Sequence, residues 1–169
     1  MIKNRTIWLG FMIATACTIY VIESFVMRML PFPFLRIGFS NIIVLYLIIH
    51  DKFWTAIVVN IAKSLIGGLI TFTLMTPATA LSLSGGLSAI LIMFLFYRIH
   101  LGLSIFGVSI AGAVGHNLAQ LFMVRWLIIP NTNVFMLTPI LILLGMVSGF
   151  IISYLTLIMD EKLNNIRLI

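Results

Sequence analysis

Six apolar segments, at about residues 6–30, 34–50, 53–75, 79–98, 102–129 and 134–159, take up nearly the whole chain. A helix crossing about 30 Å of hydrocarbon needs roughly 20 apolar residues. All the segments but 34–50 reach that length. The breaks are Pro31-Phe32-Pro33, His50-Asp51-Lys52, Thr76-Pro77, Arg98 to Gly102, and Pro130-Asn131-Thr132-Asn133. Only 8% of the 169 residues are charged, against about 25% in soluble domains. The pattern specifies an all-α integral membrane protein: six transmembrane helices in one polytopic domain, residues 1–169, with loops too short for a large soluble part. The short second segment is either a less tilted span or follows irregular chain within the membrane around 30–36. Irregular backbone is tolerated there only under cover of protein or water.

Six spans put both termini on one side. Lys3, Arg5, Lys52, Arg98, Lys162 and Arg167 then share that side, and Arg28, Arg36 and Arg125 lie opposite. The bias places the termini in the cytoplasm. The first apolar stretch follows Lys3 and Arg5 as a signal peptide would, but it has no A-x-A-like cleavage site and reads as a retained helix.

Within the fifth segment, Ser109, Gly112, Ala113, His116, Asn117 and Gln120 fall at i, i+3, i+4, i+7, i+8 and i+11, on one helix face. Hydrogen-bonding side chains in a bilayer are costly unless they meet partners or water. The stripe therefore faces other helices or a cavity.

Depth along the six spans groups the other costly residues with it. Glu23 lies near the outer end of helix one, and Arg36 and Asn41 in the outer third of helix two. Lys63 is ten residues into the third segment, about 15 Å along it and near the midplane. Asn60 and Gly67 share its face, at i−3 and i+4. Ser82, Ser84, Gly85 and Gly86 occupy the outer half of helix four. The inner half is nearly all Ile, Leu, Val, Met and Phe. A network that merely holds a bundle together has little reason to be one-sided; a site open to the outside has one.

Plainer roles compete. Arg28 and Arg125 sit near span ends, as interfacial anchors do. His116 alone would read as a satisfied core histidine. Glu23 needs a proton or a cation, with Arg28, Arg36 and Lys63 as candidates. Lys63 is the residue least easily assigned to packing. Small residues at spacing four, Gly10 and Ala14 in helix one and Gly145, Gly149 and Ser153 in helix six, let backbones approach within the chain or across a subunit contact.

Several classes are disfavoured. No ligand spacing suggests a metal, and no constellation supports nucleophilic catalysis. Cys17 is the single cysteine, so no intrachain disulfide can form. There is no basic cluster for nucleic acid and no glycine-rich phosphate loop for ATP. The chain reads as binding no cofactor itself, with ATP used only through a partner.

Glu23-Ser24, then Leu30-Pro31-Phe32-Pro33-Phe34 and Arg36-Ile37-Gly38-Phe39-Ser40-Asn41, resemble the E-S…P-x-P…(K/R)-x-G-x-x-N pattern of the Gx transporter family. That family is also labelled heptaprenyl diphosphate synthase component I. Ser82-Leu83-Ser84-Gly85-Gly86-Leu87-Ser88 resembles its S-L-(A/S)-G-G-x-x-S motif. Ser104-Ile105-Phe106-Gly107-Val108-Ser109, with Gly112-Ala113 and His116-Asn117-Leu118-Ala119-Gln120, resembles its S-I-x-G-V-S…G-A…H-N-x-x-Q motif. Two positions depart: Lys63 stands where an arginine is expected, and Ala119 where a glycine is. Lysine keeps the charge but not bidentate recognition.

The family is similar in size and span count to the substrate-binding S components of energy-coupling factor (ECF) transporters. That implies an S-component-like bundle in the cytoplasmic membrane of a prokaryote. It would take up a small vitamin-like or anionic solute from the outer face and dock on a coupling membrane protein driven by ATPases. The implied site is Glu23, Arg36, Asn41, Asn60, Lys63, Ser84, His116, Asn117 and Gln120. The implied docking motif is Gly10-x-x-x-Ala14. The synthase label implies instead a membrane accessory subunit in prenyl diphosphate or quinone biosynthesis, or in a membrane redox assembly. Asp51 and Asp160 are isolated, so there is no Asp-rich motif for diphosphate and magnesium, and autonomous prenyl transfer is not expected.

Overall fold

The breaks end helices for identifiable reasons. Asp51, with φ 55°, turns the chain between the second and third helices, a conformation that short polar side chains tolerate. Pro77 opens the fourth helix at its first turn, where the missing N–H costs nothing. Ser104 caps the fifth, its side chain accepting from Gly107 N.

A computed structural model of the chain describes residues 2–29, 37–99, 102–129 and 133–167. The helices are α1 (Ile2–Met27), α2 (Asn41–Ile49), α3 (Phe53–Ile70), α4 (Pro77–Arg98), α5 (Ile105–Leu127) and α6 (Thr138–Arg167), the last preceded by a 3-10 turn at Val134–Leu137. Five of them, all but α2, are long and apolar enough to cross a membrane. This is a multi-pass membrane protein.

Contacts at the ends of the bundle fix the direction of each helix. At the near end, Lys52 Nζ lies 3.8 Å from the centre of the Trp8 ring, and Tyr97 Oη donates to Ile49 O. His50 Nε2 lies 3.3 Å from Asp160 Oδ1 at the same end. At the far end, Arg28 Nη2 donates to Thr71 O at 2.5 Å. Leu81, Leu121, Val124, Val134 and Leu141 cluster there too. So α1, α3 and α5 run from near end to far end, and α2, α4 and α6 run back.

The second segment departs from the expected span. Of residues 34–50, the helix covers only Asn41–Ile49. Nine residues rise about 14 Å, less than half of the hydrocarbon thickness. Every residue from Asn41 to Ile48 is buried. In a membrane apolarity alone does not enclose a helix, since lipid solvates apolar groups as protein does, but α2 is packed on α1, α3, α4 and α6. It is a central peg that starts partway down the bundle.

Outward faces are apolar: Phe11, Leu69, Leu91, Phe122, Leu143 and Phe150 are all exposed. Because lipid solvates these groups as well as protein does, helix association depends on close packing. Gly145 and Gly149 of α6 lie on α5; a Cβ at Gly149 would sit 2.6 Å from Ile110 Cα. The small-residue pair in α6 thus serves packing within the chain. Gly10 and Ala14 of α1 are exposed instead, and a Cβ at Gly10 would meet nothing within 4 Å.

Candidate functional site

A peg that begins mid-bundle creates a problem of backbone chemistry. The turn that leads into it, Ile37 to Ser40, carries polar groups with no regular ladder, and hydrocarbon cannot satisfy them. Three neighbouring helices do so. From α1, the Glu23 carboxylate accepts from Gly38 N. From α3, Lys63 Nζ donates to Ser40 Oγ at 2.8 Å and to Asn41 Oδ1 at 2.9 Å. From α5, His116 Nδ1 lies 3.3 Å from Asn41 Nδ2. Glu23, Ser40, Asn41, Lys63 and His116 are all buried. Gly38 has φ 86°, a conformation that favours glycine.

Donor logic orients this network. Lys63 donates to the Asn41 oxygen, which leaves the Asn41 N–H to point at His116 Nδ1. A neutral imidazole has one acceptor nitrogen and one N–H. With Nδ1 accepting, the ring proton lies on Nε2. The Gln120 side-chain amide reaches that nitrogen at 2.8 Å. The contacting atom in the structure is Gln120 Nε2; carboxamide oxygen and nitrogen are told apart by their partners, and exchanging the two lets the Gln120 oxygen accept from His116 Nε2–H. A polarised chain then runs Lys63, Asn41, His116, Gln120 across α3, α2 and α5.

The glycines of α4 make room for it. A Cβ at Gly85 would lie 2.8 Å from His116 Cε1, and one at Gly86 would overlap Asn60 Oδ1. Asn60 is fully buried, its Nδ2 3.5 Å from Leu83 O and its Oδ1 without a hydrogen-bond partner among the described residues.

Not every expected site residue joins the cluster. Glu23, Asn41, Lys63, His116 and Gln120 share it, and Asn60 lies one turn from Lys63. Ser84 hydrogen-bonds within its own helix, to Leu81 O. Asn117 turns to α6 and donates to Leu141 O at 2.9 Å. Ser109 also binds α6, donating to Gly149 O. The stripe on α5 is therefore two seams. Consecutive residues on a helix differ by 100°, so His116 reaches α2 while Asn117 reaches α6. Arg36 lies outside the described residues. Two members went unmarked in sequence: Ser40, which accepts a hydrogen bond from Lys63, and Gly38, which donates its backbone N–H to Glu23. Their place beside Asn41 in the R-x-G-x-x-N pattern was the available signal. No group of three or more potential metal ligands occurs among the described residues.

The chain matches the family described as heptaprenyl diphosphate synthase component I over residues 12–159. It belongs to that family. No curated protein and no solved structure matches it significantly. The family match spans α1 through most of α6, so the peg, its clamp and the α4–α5 glycine seam all fall inside it. Component I, as a name, implies a partner subunit.

Beside the clamp, on the other side of Glu23, lies a cleft of about 420 Å³ between α1, the Ile37–Phe39 segment, α2 and α6. Its walls include Ile19, Ile22, Val26, Phe39, Ile151 and Leu155, with Glu23 as the one ionisable lining group among the described residues.

Proposed function

We propose that this chain is a membrane-embedded accessory subunit of an assembly that makes or uses polyprenyl diphosphates, and that the α1–α2–α6 cleft holds the isoprenoid tail. One observation carries this: among the described residues the cleft is lined by apolar side chains apart from Glu23, a surface that matches a branched hydrocarbon and offers little to a soluble anion. The family name supports it, and the implied partner would bring the catalytic groups. The excess of Arg5, Lys52 and Arg98 at the near end supports a cytoplasmic location for that end.

A second reading, the solute-binding subunit of an ECF-like transporter, draws on a different observation. The N-terminus of α2 lies inside the bundle beside Lys63, and broken helices place such positive ends at solute sites in transporters. Capture of a vitamin-like or anionic solute there would exchange the Lys63 bonds to Ser40 and Asn41 for bonds to the solute. ATP would then act through partner ATPases.

Mass spectrometry of the protein extracted gently from its membrane separates the two. The cleft reading expects a retained prenyl lipid, lost when Ile22→Trp and Leu155→Trp fill the cleft. A retained water-soluble anion, lost in Lys63→Met and kept in Leu155→Trp, would replace it with the transporter reading.

A further inference from the structure

The near end of the bundle carries a feature that neither reading uses. Two adjoining clefts, of about 370 and 420 Å³, share Arg5, Lys52 and Thr55. Arg98 enters the second from the end of α4, with Asp51 as the one acidic lining residue among those described. Its guanidinium lies 3.9 Å from the Asp51 carboxylate, and both groups are about two-thirds exposed. Among the described lining residues, three cations against one carboxylate give the hollow a net positive charge.

The basic rim sits on an aromatic floor. Phe53 and Phe94 face each other with centroids 4.4 Å apart, and Phe53 meets Trp54 edge-on at 5.4 Å. Trp8 lines the first cleft under the Lys52 ammonium. Trp54 is 77% exposed, as interfacial tryptophans at the headgroup level are. Lys52 also precedes the first residue of α3, whose first turn has no acidic residue. The leading N–H groups of a helix have no acceptor within it and favour an anion.

We infer that this hollow is a binding site for a phosphate-bearing headgroup, with Arg5, Lys52 and Arg98 on the phosphate and the Phe53–Phe94 floor under the first carbons of the attached chain. Basic pockets between transmembrane helices at the cytoplasmic face bind phosphorylated lipid heads by this chemistry. The site is separate from the isoprenoid cleft, which lies against Glu23 in the other half of the bundle. It stands whether or not that cleft binds a prenyl tail.

The test uses the full chain in detergent and native mass spectrometry. Added phosphatidylglycerol should be retained in preference to phosphatidylcholine. Arg5→Gln, Lys52→Gln and Arg98→Gln together should weaken that retention by at least about tenfold. Asp51→Asn should strengthen it, a gain that misfolding cannot imitate. Lys162→Gln, an exposed cation on the same end, should leave it unchanged. Inorganic pyrophosphate identifies the source: displacement of the lipid by pyrophosphate assigns the site to diphosphate groups in general, and failure to displace assigns it to a membrane lipid head. The inference is overturned if the triple variant retains phosphatidylglycerol as wild type does, or if Lys162→Gln weakens retention as much as the triple variant.

Discussion

Lys63 and Asn41 meet at 2.9 Å in the buried middle of the bundle, joining the centre of α3 to the first residue of α2. The contact sets where α2 starts. Without it the Asn41 oxygen and the Ser40 hydroxyl lose their donor in a place that water does not reach. Leaving a buried acceptor without its donor costs about 1–3 kcal/mol. Lys63→Met removes the charge itself and strands two acceptors, so it should fall in the upper part of that range. Lys63→Arg keeps the charge and the donors and should recover only part of the loss, since the planar guanidinium presents them in a different geometry from the ammonium between Ser40 and Asn41. Thermal unfolding of the three proteins in one detergent measures both effects. Wild-type stability in Lys63→Met would mean the contact does not organise the turn.

The same contact explains the one-sided distribution of polar residues. Polar groups are concentrated toward one end because the peg is half-length, and the chain leading into it needs partners only there. In sequence the one-sidedness pointed toward an external site. The structure supplies a structural cause as well, and the two uses are compatible.

The long helices were legible because each is a run of apolar residues closed by proline, glycine or charge. The start of α2 was not. Phe34, Ile37 and Phe39 are as apolar as the residues after Asn41, so no composition change marks the boundary. Tertiary bonds from Glu23 and Lys63 mark it instead. The polar face of α5 was legible as a face, but periodicity does not say which neighbour each residue meets. His116 and Asn117 are adjacent in sequence and bind different helices. The near-end basic hollow was least legible, because Arg5, Lys52 and Arg98 lie on three separate segments that only the fold brings together.

Glu23 makes a separable prediction. Its carboxylate accepts from Gly38 N, and Gln at this position keeps an acceptor while Ala does not. Losing the acceptor for a buried N–H costs about 1–3 kcal/mol. Glu23→Ala should therefore open the turn more often than Glu23→Gln. With Phe39→Cys as a reporter, maleimide labelling should be faster by roughly tenfold in the Ala background, equivalent to about 1.4 kcal/mol. Equal rates in the two backgrounds would show that Glu23 does not hold the turn.

Gly86 and Asn60 form a pair in which one residue leaves room for the other. A Cβ at Gly86 would overlap Asn60 Oδ1, so Gly86→Ala should destabilise by about 1–3 kcal/mol. Asn60→Ala should cost less, because its Oδ1 has no hydrogen-bond partner among the described residues and its Nδ2 contact to Leu83 O is 3.5 Å long. The double variant should recover most of the Gly86→Ala loss. A coupling of at least about 0.5 kcal/mol in the double-mutant cycle is the expected signature, measured by unfolding in detergent. Strict additivity would mean that the glycine is needed for some contact other than Asn60.

Gly10 and Gly149 are both small residues at spacing four in their helices, and they should respond oppositely to enlargement. Gly149 faces Ile110 at a distance that leaves no room for a side chain, so Gly149→Leu should unfold or loosen the α5–α6 contact. Gly10 faces outward with nothing within 4 Å, and exposed changes of this kind shift stability by no more than about 0.5 kcal/mol. Replacing a helical glycine adds propensity, so Gly10→Leu should leave the isolated chain as stable as wild type or slightly more so. If the Gly10–Ala14 face docks on a partner helix, the same substitution should abolish association while stability holds. Crosslinking in native membranes, read beside unfolding of the purified chain, gives both quantities. Stable protein with lost association assigns the face to the partner that the family name implies; stable protein with intact association removes Gly10 and Ala14 from the interface.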